Sequence, residues 1–213
     1  MREELYLWKY KAIAEKLAKQ MKRRHFEVHI VNSKEELLKK VRELVPEGST
    51  VANGGSLTLI ENGVLDVFRN GEYVYYDRYA AKTPEERREL ELKAFTVDYY
   101  LSGANAITED GRLVFLDGNG NRVAAIVYGP KNVIIVSSVN KLVKSMEDAR
   151  ERLRFISPMN SKRLNLSTPC FQKGFCYDCA SSDRICNYFV VVESSARIPG
   201  RIKVILTTFE TGL

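Results

Sequence analysis

Histidine is nearly missing from this sequence: His25 and His29 are the only two. On an extended segment four residues separate them by roughly 13 Å, which excludes a shared metal ion. No run approaches the eighteen or more consecutive apolar residues that a membrane-spanning helix requires. The opening MREELYLWKYKAIAEKL is charged and periodic and has no apolar core of the secretory kind, so the expected location is the cytoplasm. Neither a Walker loop nor a dinucleotide fingerprint occurs. Net charge is +6, but no nucleic-acid module or aromatic stacking pattern accompanies it, so no nucleic-acid partner is expected. The densest basic clusters, Lys22-Arg23-Arg24 and Arg150, Arg152 and Arg154, fall where helices are expected to end, a place that favours cations. Glutamine is also scarce, two residues among many Lys, Arg and Glu, a leaning toward a thermophilic source.

What is present is the composition of a soluble globular protein, 45% apolar and 28% charged, in a chain long enough for one well-buried domain. Leu5, Trp8, Ala12, Ile13, Leu17 and Met21 recur at helical spacing, and Phe26, Val28 and Ile30 alternate as in a half-buried strand. Ser33 with Glu36 forms a capping-box pattern for a helix reaching about Val45. Residues 50–52 read as a strand, 73–76 as another, and Thr83-Pro84-Glu85-Glu86 opens a helix running to about Val97. Residues 99–101, 112–116, 123–128 and 133–137 read as strands, with the Asp117–Asn121 turn joining the second and third of these as a hairpin. A helix is predicted over 141–154, an irregular segment over 157–187, and strands at 188–193 and 202–207. This alternation predicts a three-layer α/β domain over 1–213. Its mostly parallel twisted sheet carries helices on both faces, an antiparallel hairpin insertion and a Cys-rich loop near the end.

Two glycine-rich places carry the functional reading. In the first, a strand leads directly into Asn53-Gly54-Gly55-Ser56-Leu57-Thr58, where bare backbone and two hydroxyls at a helix start can receive an anion. The second is the span 98–143, whose Gly, Asn, Asp and Thr collect at the ends of apolar runs, where an open α/β sheet places its ligand. Asn105, Thr108, Asp117, Gly118, Gly120, Asn121, Arg122, Asn140 and Lys141 are the candidate lining there, and Glu109 or Asp110 the candidate general base. Turn geometry alone also recruits Gly and Asn; it is their density here that favours a ligand site.

All four cysteines, Cys170, Cys176, Cys179 and Cys186, lie within seventeen residues. Clustered thiols in a cytoplasmic chain suit a zinc ion or an iron–sulfur cluster, while two disulfides or four reduced thiols remain open.

Several blocks together resemble the lactate-utilisation (LUD) domain family: NGGSLTL at 53–59, LSGANAITEDG at 101–111, DGNGNRVAA at 117–125, GPKNVIIV at 129–136 and NKLV at 140–143. The proline–cysteine pair at 169–170 and GFCYDCASSDRICN at 174–187 extend the match over nearly the whole chain. The resemblance implies the fold shared by ribose-5-phosphate isomerase, glucosamine-6-phosphate deaminase and CoA transferases. It also implies a part in lactate or related organic-acid metabolism. Asp117 stands where the isomerase motif has Lys, Asn105 where it has Asp, and the isomerase's catalytic Glu has no counterpart. Isomerase chemistry is therefore not expected, whereas binding of a phosphorylated or carboxylated metabolite is. The family's tie to an iron–sulfur lactate-oxidising system implies a second reading, a non-catalytic subunit of a redox complex. A second copy of the chain is a further possible partner.

Overall fold

The computed structural model describes residues 1–213. Its elements in order are α1 (Arg2–Arg23), β1 (Glu27–Val31), α2 (Lys34–Leu44), β2 (Thr50–Asn53), α3 (Leu57–Glu61) and β3 (Val74–Tyr76). They continue with α4 (Pro84–Lys93), β4 (Tyr99–Gly103), β5 (Ala106–Thr108), β6 (Leu113–Asp117), α5 (Asn121–Tyr128), β7 (Asn132–Ser138) and β8 (Leu142–Val143). The last are α6 (Met146–Arg163), α7 (Pro169–Lys173), β9 (Tyr188–Val192) and β10 (Ile202–Thr207).

Six strands in the order β1-β10-β7-β4-β2-β3 form one sheet in which every pairing is parallel. The central strand β7 is apolar on both faces, as a doubly covered sheet requires. Ile134 and Val136 point into a core with Leu37 and Val41 of α2 and Leu59 of α3. Val133 and Ile135 point into the opposite core, with Leu17 and Met21 of α1 and Ile126 of α5. A second, mixed sheet, β8-β5-β6-β9, lies against that second core through Ile107, Leu113 and Phe115. Its other face buries Ala106 and Val114 against Ala149 and Leu153 of α6.

Helix starts follow the capping chemistry in the sequence. Ser33 accepts from the Glu36 amide at 3.2 Å, and Thr83 from the Glu86 amide at 3.2 Å. Ser145 and Asp148 form a reciprocal capping box.

Three expectations are corrected. Residues 123–128 form the helix α5, not a strand: Arg122, Val123, Ala125 and Ile126 are buried while Ala124 and Val127 are exposed, which is helical spacing. A short apolar run does not by itself distinguish the two periods. The Asp117–Asn121 segment is therefore a strand-to-helix connection, with Gly120 at φ +79°, and the real hairpin is β5–β6 across Glu109-Asp110-Gly111. The helix expected over 141–154 begins at Met146 and runs through Pro158 to Arg163, so the segment expected to be irregular starts later and itself contains α7.

Candidate functional site

The C-terminal ends of β2 and β4 and the starts of α3 and α5 surround a cleft of about 860 Å³, closed on its far side by α6 and the segment around Arg184. It lies at strand ends, where open α/β sheets bind their ligands.

Arg122 builds one wall. As the second residue of α5 it is buried, and its stem crosses the loop after β2. A Cβ at Gly54 would stand 2.7 Å from Arg122 Cγ and 2.7 Å from the Tyr100 hydroxyl, so only glycine lets the stem pass. The guanidinium then donates to Gly103 O (3.0 Å), Leu116 O (2.9 Å) and Asn105 Oδ1 (2.9 Å). Asp117 lies 3.8 Å from Arg122 Nε and accepts from the Gly118 and Val123 amides, each at 3.1 Å. A carboxylate at this helix start occupies the place a ligand anion would take, so Asp117 acts as the cap of α5. Arg152 of α6 supports the same corner by donating to Asn105 O at 3.0 Å.

Lys141 forms the floor. It sits in the 3-10 turn between β7 and β8, and only 3% of its surface is exposed. Nζ donates to Thr58 Oγ1 (2.8 Å) and to Ala104 O (3.3 Å), and no carboxylate lies within ion-pair distance. Burial, with Arg152 and Arg122 adding to it, lowers its pKa to about 7; Glu61 opposes this weakly. The Glu61 carboxylate is itself engaged by the Gly212 amide at 2.8 Å and the Thr211 hydroxyl at 3.2 Å. Thr58 is placed by α3, whose start is capped by Ser56 through the Leu59 amide at 3.4 Å.

Seven cationic side chains (Arg78, Arg87, Arg88, Arg122, Lys141, Arg163 and Arg184) line the cleft against three side-chain carboxylates, Glu91, Asp117 and Asp183. Glu91 is committed to Arg78 at 2.8 Å and Arg87 at 3.7 Å. Arg163 makes no ion pair and donates to Asn160 Oδ1 at 3.1 Å and 3.2 Å; burial pushes its pKa down. The cleft thus has an excess of positive charge, part of it buried.

Of the residues singled out in the sequence, Gly55, Ser56, Thr58, Asn105, Asp117, Gly118, Asn121, Arg122 and Lys141 line this cleft. Asn53 and Gly54 lie behind it, with Asn53 Oδ1 accepting from the Tyr75 hydroxyl at 2.7 Å. Gly120 faces a neighbouring, mostly apolar depression of about 470 Å³, which shares Arg88, Glu91, Asn119 and Asn121 with the cleft. Asn140 does not reach the cleft.

The structure takes Thr108, Glu109 and Asp110 away from it. Thr108 ends β5, and Glu109 and Asp110 form the turn after it beside α1, where Asp110 pairs with Arg24 at 2.8 Å and Arg112 at 3.2 Å, and Glu109 with Lys16 at 3.9 Å. Burial pushes the Asp110 carboxyl up, but the Thr108 hydroxyl, Arg24 and Arg112 outweigh it and hold it below the usual range. It is an ionised structural partner, not a base facing a ligand. Sequence reasoning missed Arg163, Arg78 and Tyr79. The signal for Arg163 was the helical spacing of Leu153, Ile156 and Asn160, which carries α6 through Pro158 into the segment expected to be irregular.

The four cysteines are free, and no three His, Cys, Asp or Glu side chains are grouped to hold a metal ion. Cys170 is buried beside the Thr168 hydroxyl at 3.2 Å, whereas Cys186 accepts from Arg184 Nε at 3.3 Å and Nη2 at 3.2 Å. In this arrangement the thiols do not fit a zinc or iron–sulfur centre.

An open α/β fold with a basic cleft at its strand ends defines the class. The LUD domain family model matches residues 14–207, and the chain belongs to that family. A protein of the DUF162 family from Deinococcus radiodurans is similar over 93% of this chain and 98% of its own, at 12% identity and a TM-score of 0.55, a likeness of fold. Ribose 5-phosphate isomerases are more distant. That of Plasmodium falciparum shows 20% identity and a TM-score of 0.34 over 52% of each chain. That of Methanocaldococcus jannaschii shows 19% and 0.36 over 60% of this chain and 66% of its own. Comparison with curated protein sequences finds no match.

Proposed function

We propose that this LUD domain binds a small anionic metabolite, carboxylated or phosphorylated, in lactate or related organic-acid metabolism. The family supports the metabolic setting. The observation that carries the ligand class is Lys141: an amine buried without a carboxylate partner, at the floor of a cleft where Arg163 is also unpaired. A cation buried in this way is unfavourable in the free protein and gains most from an incoming anion. The volume, about 860 Å³, suits a metabolite of a few to a dozen or more heavy atoms together with its water. No observation favours the alternative, a non-catalytic metal- or cluster-carrying redox subunit, because no three thiols are grouped.

A thermal-unfolding screen with lactate, pyruvate, oxalate, inorganic phosphate and a sugar phosphate tests the reading. A ligand at one hundred times its Kd stabilises by about 2.7 kcal/mol, several degrees in a chain of this size. A saturable rise for at least one anion is expected, absent in Arg163→Gln. Equal shifts in wild type and variant, or no shift with any anion, would count against it.

A further inference from the structure

We propose that Lys141 is an imine-forming nucleophile, and that the ligand class of the cleft is a small carbonyl compound carrying an anionic group, either a 2-oxo carboxylate or a phosphorylated aldehyde. This rests on the anion-binding reading above and extends it from charge to chemistry.

The geometry supplies what an amine nucleophile needs. Lys141 Nζ has two hydrogen bonds, to Thr58 Oγ1 at 2.8 Å and Ala104 O at 3.3 Å. A neutral amine has two N–H groups, so both are occupied and the lone pair is left over. An ammonium in the same place would have a third N–H without a partner in the protein. The charged side chains around it favour the neutral form: Arg122 and Arg152 are cations, and the nearby Glu61 carboxylate is turned to Gly212 and Thr211. A lysine desolvated beside other cations is the arrangement by which amines are activated toward carbonyls. The pKa of about 7 agrees with this reading. Near pH 7 half of Lys141 is neutral, against roughly one in three thousand for an ordinary lysine.

The same cations that depress the amine would hold the ligand's anionic end. Arg163 lines the cleft without an ion pair, and Ser56 and Gly55 lie on the wall beside Thr58. The step is balanced without any further reactant. The amine lone pair attacks the carbonyl carbon, and the carbonyl oxygen takes one amine proton to give the carbinolamine. Loss of that oxygen as water, carrying the second amine proton, leaves a C=N bond. One C–N linkage forms, the C–O linkage breaks, and nothing is oxidised or reduced.

The test uses the full chain with pyruvate, and separately glyceraldehyde 3-phosphate, in the presence of sodium cyanoborohydride. The reductant converts any imine to a stable secondary amine, which intact-mass measurement and peptide mapping then locate. Expected is one adduct at Lys141, formed at least about tenfold faster than at any other lysine near pH 7, with its rate rising through pH 7 and levelling above it. Excess oxalate or inorganic phosphate, which have no reactive carbonyl, should suppress it. Whichever carbonyl compound reacts identifies the source of the anionic group. Adducts spread over surface lysines, a Lys141 adduct indifferent to oxalate, or none at Lys141 would overturn the proposal. Thermal shifts with oxalate and phosphate separate the two levels: if they stabilise the protein while no adduct forms, the imine inference fails and anion binding stands. If they do not, the anion-binding reading itself has failed.

Discussion

Replacing Lys141 with methionine should make the protein more stable while removing its response to anions. The side chains are alike in length, so the substitution removes chiefly the amine. Folding lowers the Lys141 pKa from 10.5 to about 7. At about 1.4 kcal/mol per unit, holding the charged form in the folded state costs about 5 kcal/mol at low pH. Losing the hydrogen bonds to Thr58 and Ala104 offsets about 1 kcal/mol each. The variant should therefore gain about 3 kcal/mol below pH 7, or about 6–12 °C in Tm. The sign follows from proton binding. Between about pH 7 and pH 10.5 the unfolded chain holds a proton on this amine that the folded chain has released, so wild-type stability rises with pH. The variant's advantage should then shrink by roughly 1.4 kcal/mol per pH unit and vanish before pH 10.5. Urea unfolding of both proteins at pH 6, 8 and 10 measures this directly. A variant less stable than wild type at pH 6, or a difference that does not change with pH, would refute a desolvated Lys141.

Four further outcomes are expected. Arg122→Met should lose about 3–5 kcal/mol in urea unfolding, because Gly103 O, Leu116 O and Asn105 Oδ1 are left in the interior without their donor. Gly212→Ala should abolish anion stabilisation in the thermal screen, because at φ +68° its Cβ would run into Thr58 Oγ1 and stand 2.9 Å from Lys141 Nζ. Glu109→Gln and Asp110→Asn should leave anion affinity unchanged in titration calorimetry, since both carboxylates face α1. For an anion with no carbonyl, such as oxalate, affinity should be greatest below pH 7 and fall by up to about tenfold per unit above it, as binding requires Lys141 to take up a proton. Calorimetry across pH 6–9 checks this.

Where local chemistry decides local structure, the sequence was readable. Ser33 and Thr83 cap the helices their spacing indicated, and the strand entering Asn53-Gly54 leads into the cleft wall. Residues 123–128 were misread because six apolar residues in a row show no period; the burial of Arg122 that resolves the matter depends on Gly54 far away in the chain. Glu109 and Asp110 looked like a base because carboxylates beside glycine at a strand end suggest a site. Their actual partners, Lys16 of α1 and Arg24 just beyond its end, lie some ninety residues earlier, and only the fold brings them near. Lys141 was named as a pocket residue. That it lacks a counter-ion was invisible, because it depends on where Glu61, Arg122 and Arg152 end up. How the four thiols are disposed, with no group of three metal-ligating side chains among them, was likewise not readable from their spacing.

A crystal structure grown with the most stabilising anion of the thermal screen shows whether Lys141 and Arg163 form an anion site at the strand ends. That anion is expected in the cleft, within hydrogen-bond distance of Lys141 Nζ or the Arg163 guanidinium and beside Ser56 and Thr58. An anion bound only at the surface, or a cleft that stays empty of it at saturating concentration, would contradict an anion site at Lys141 and Arg163.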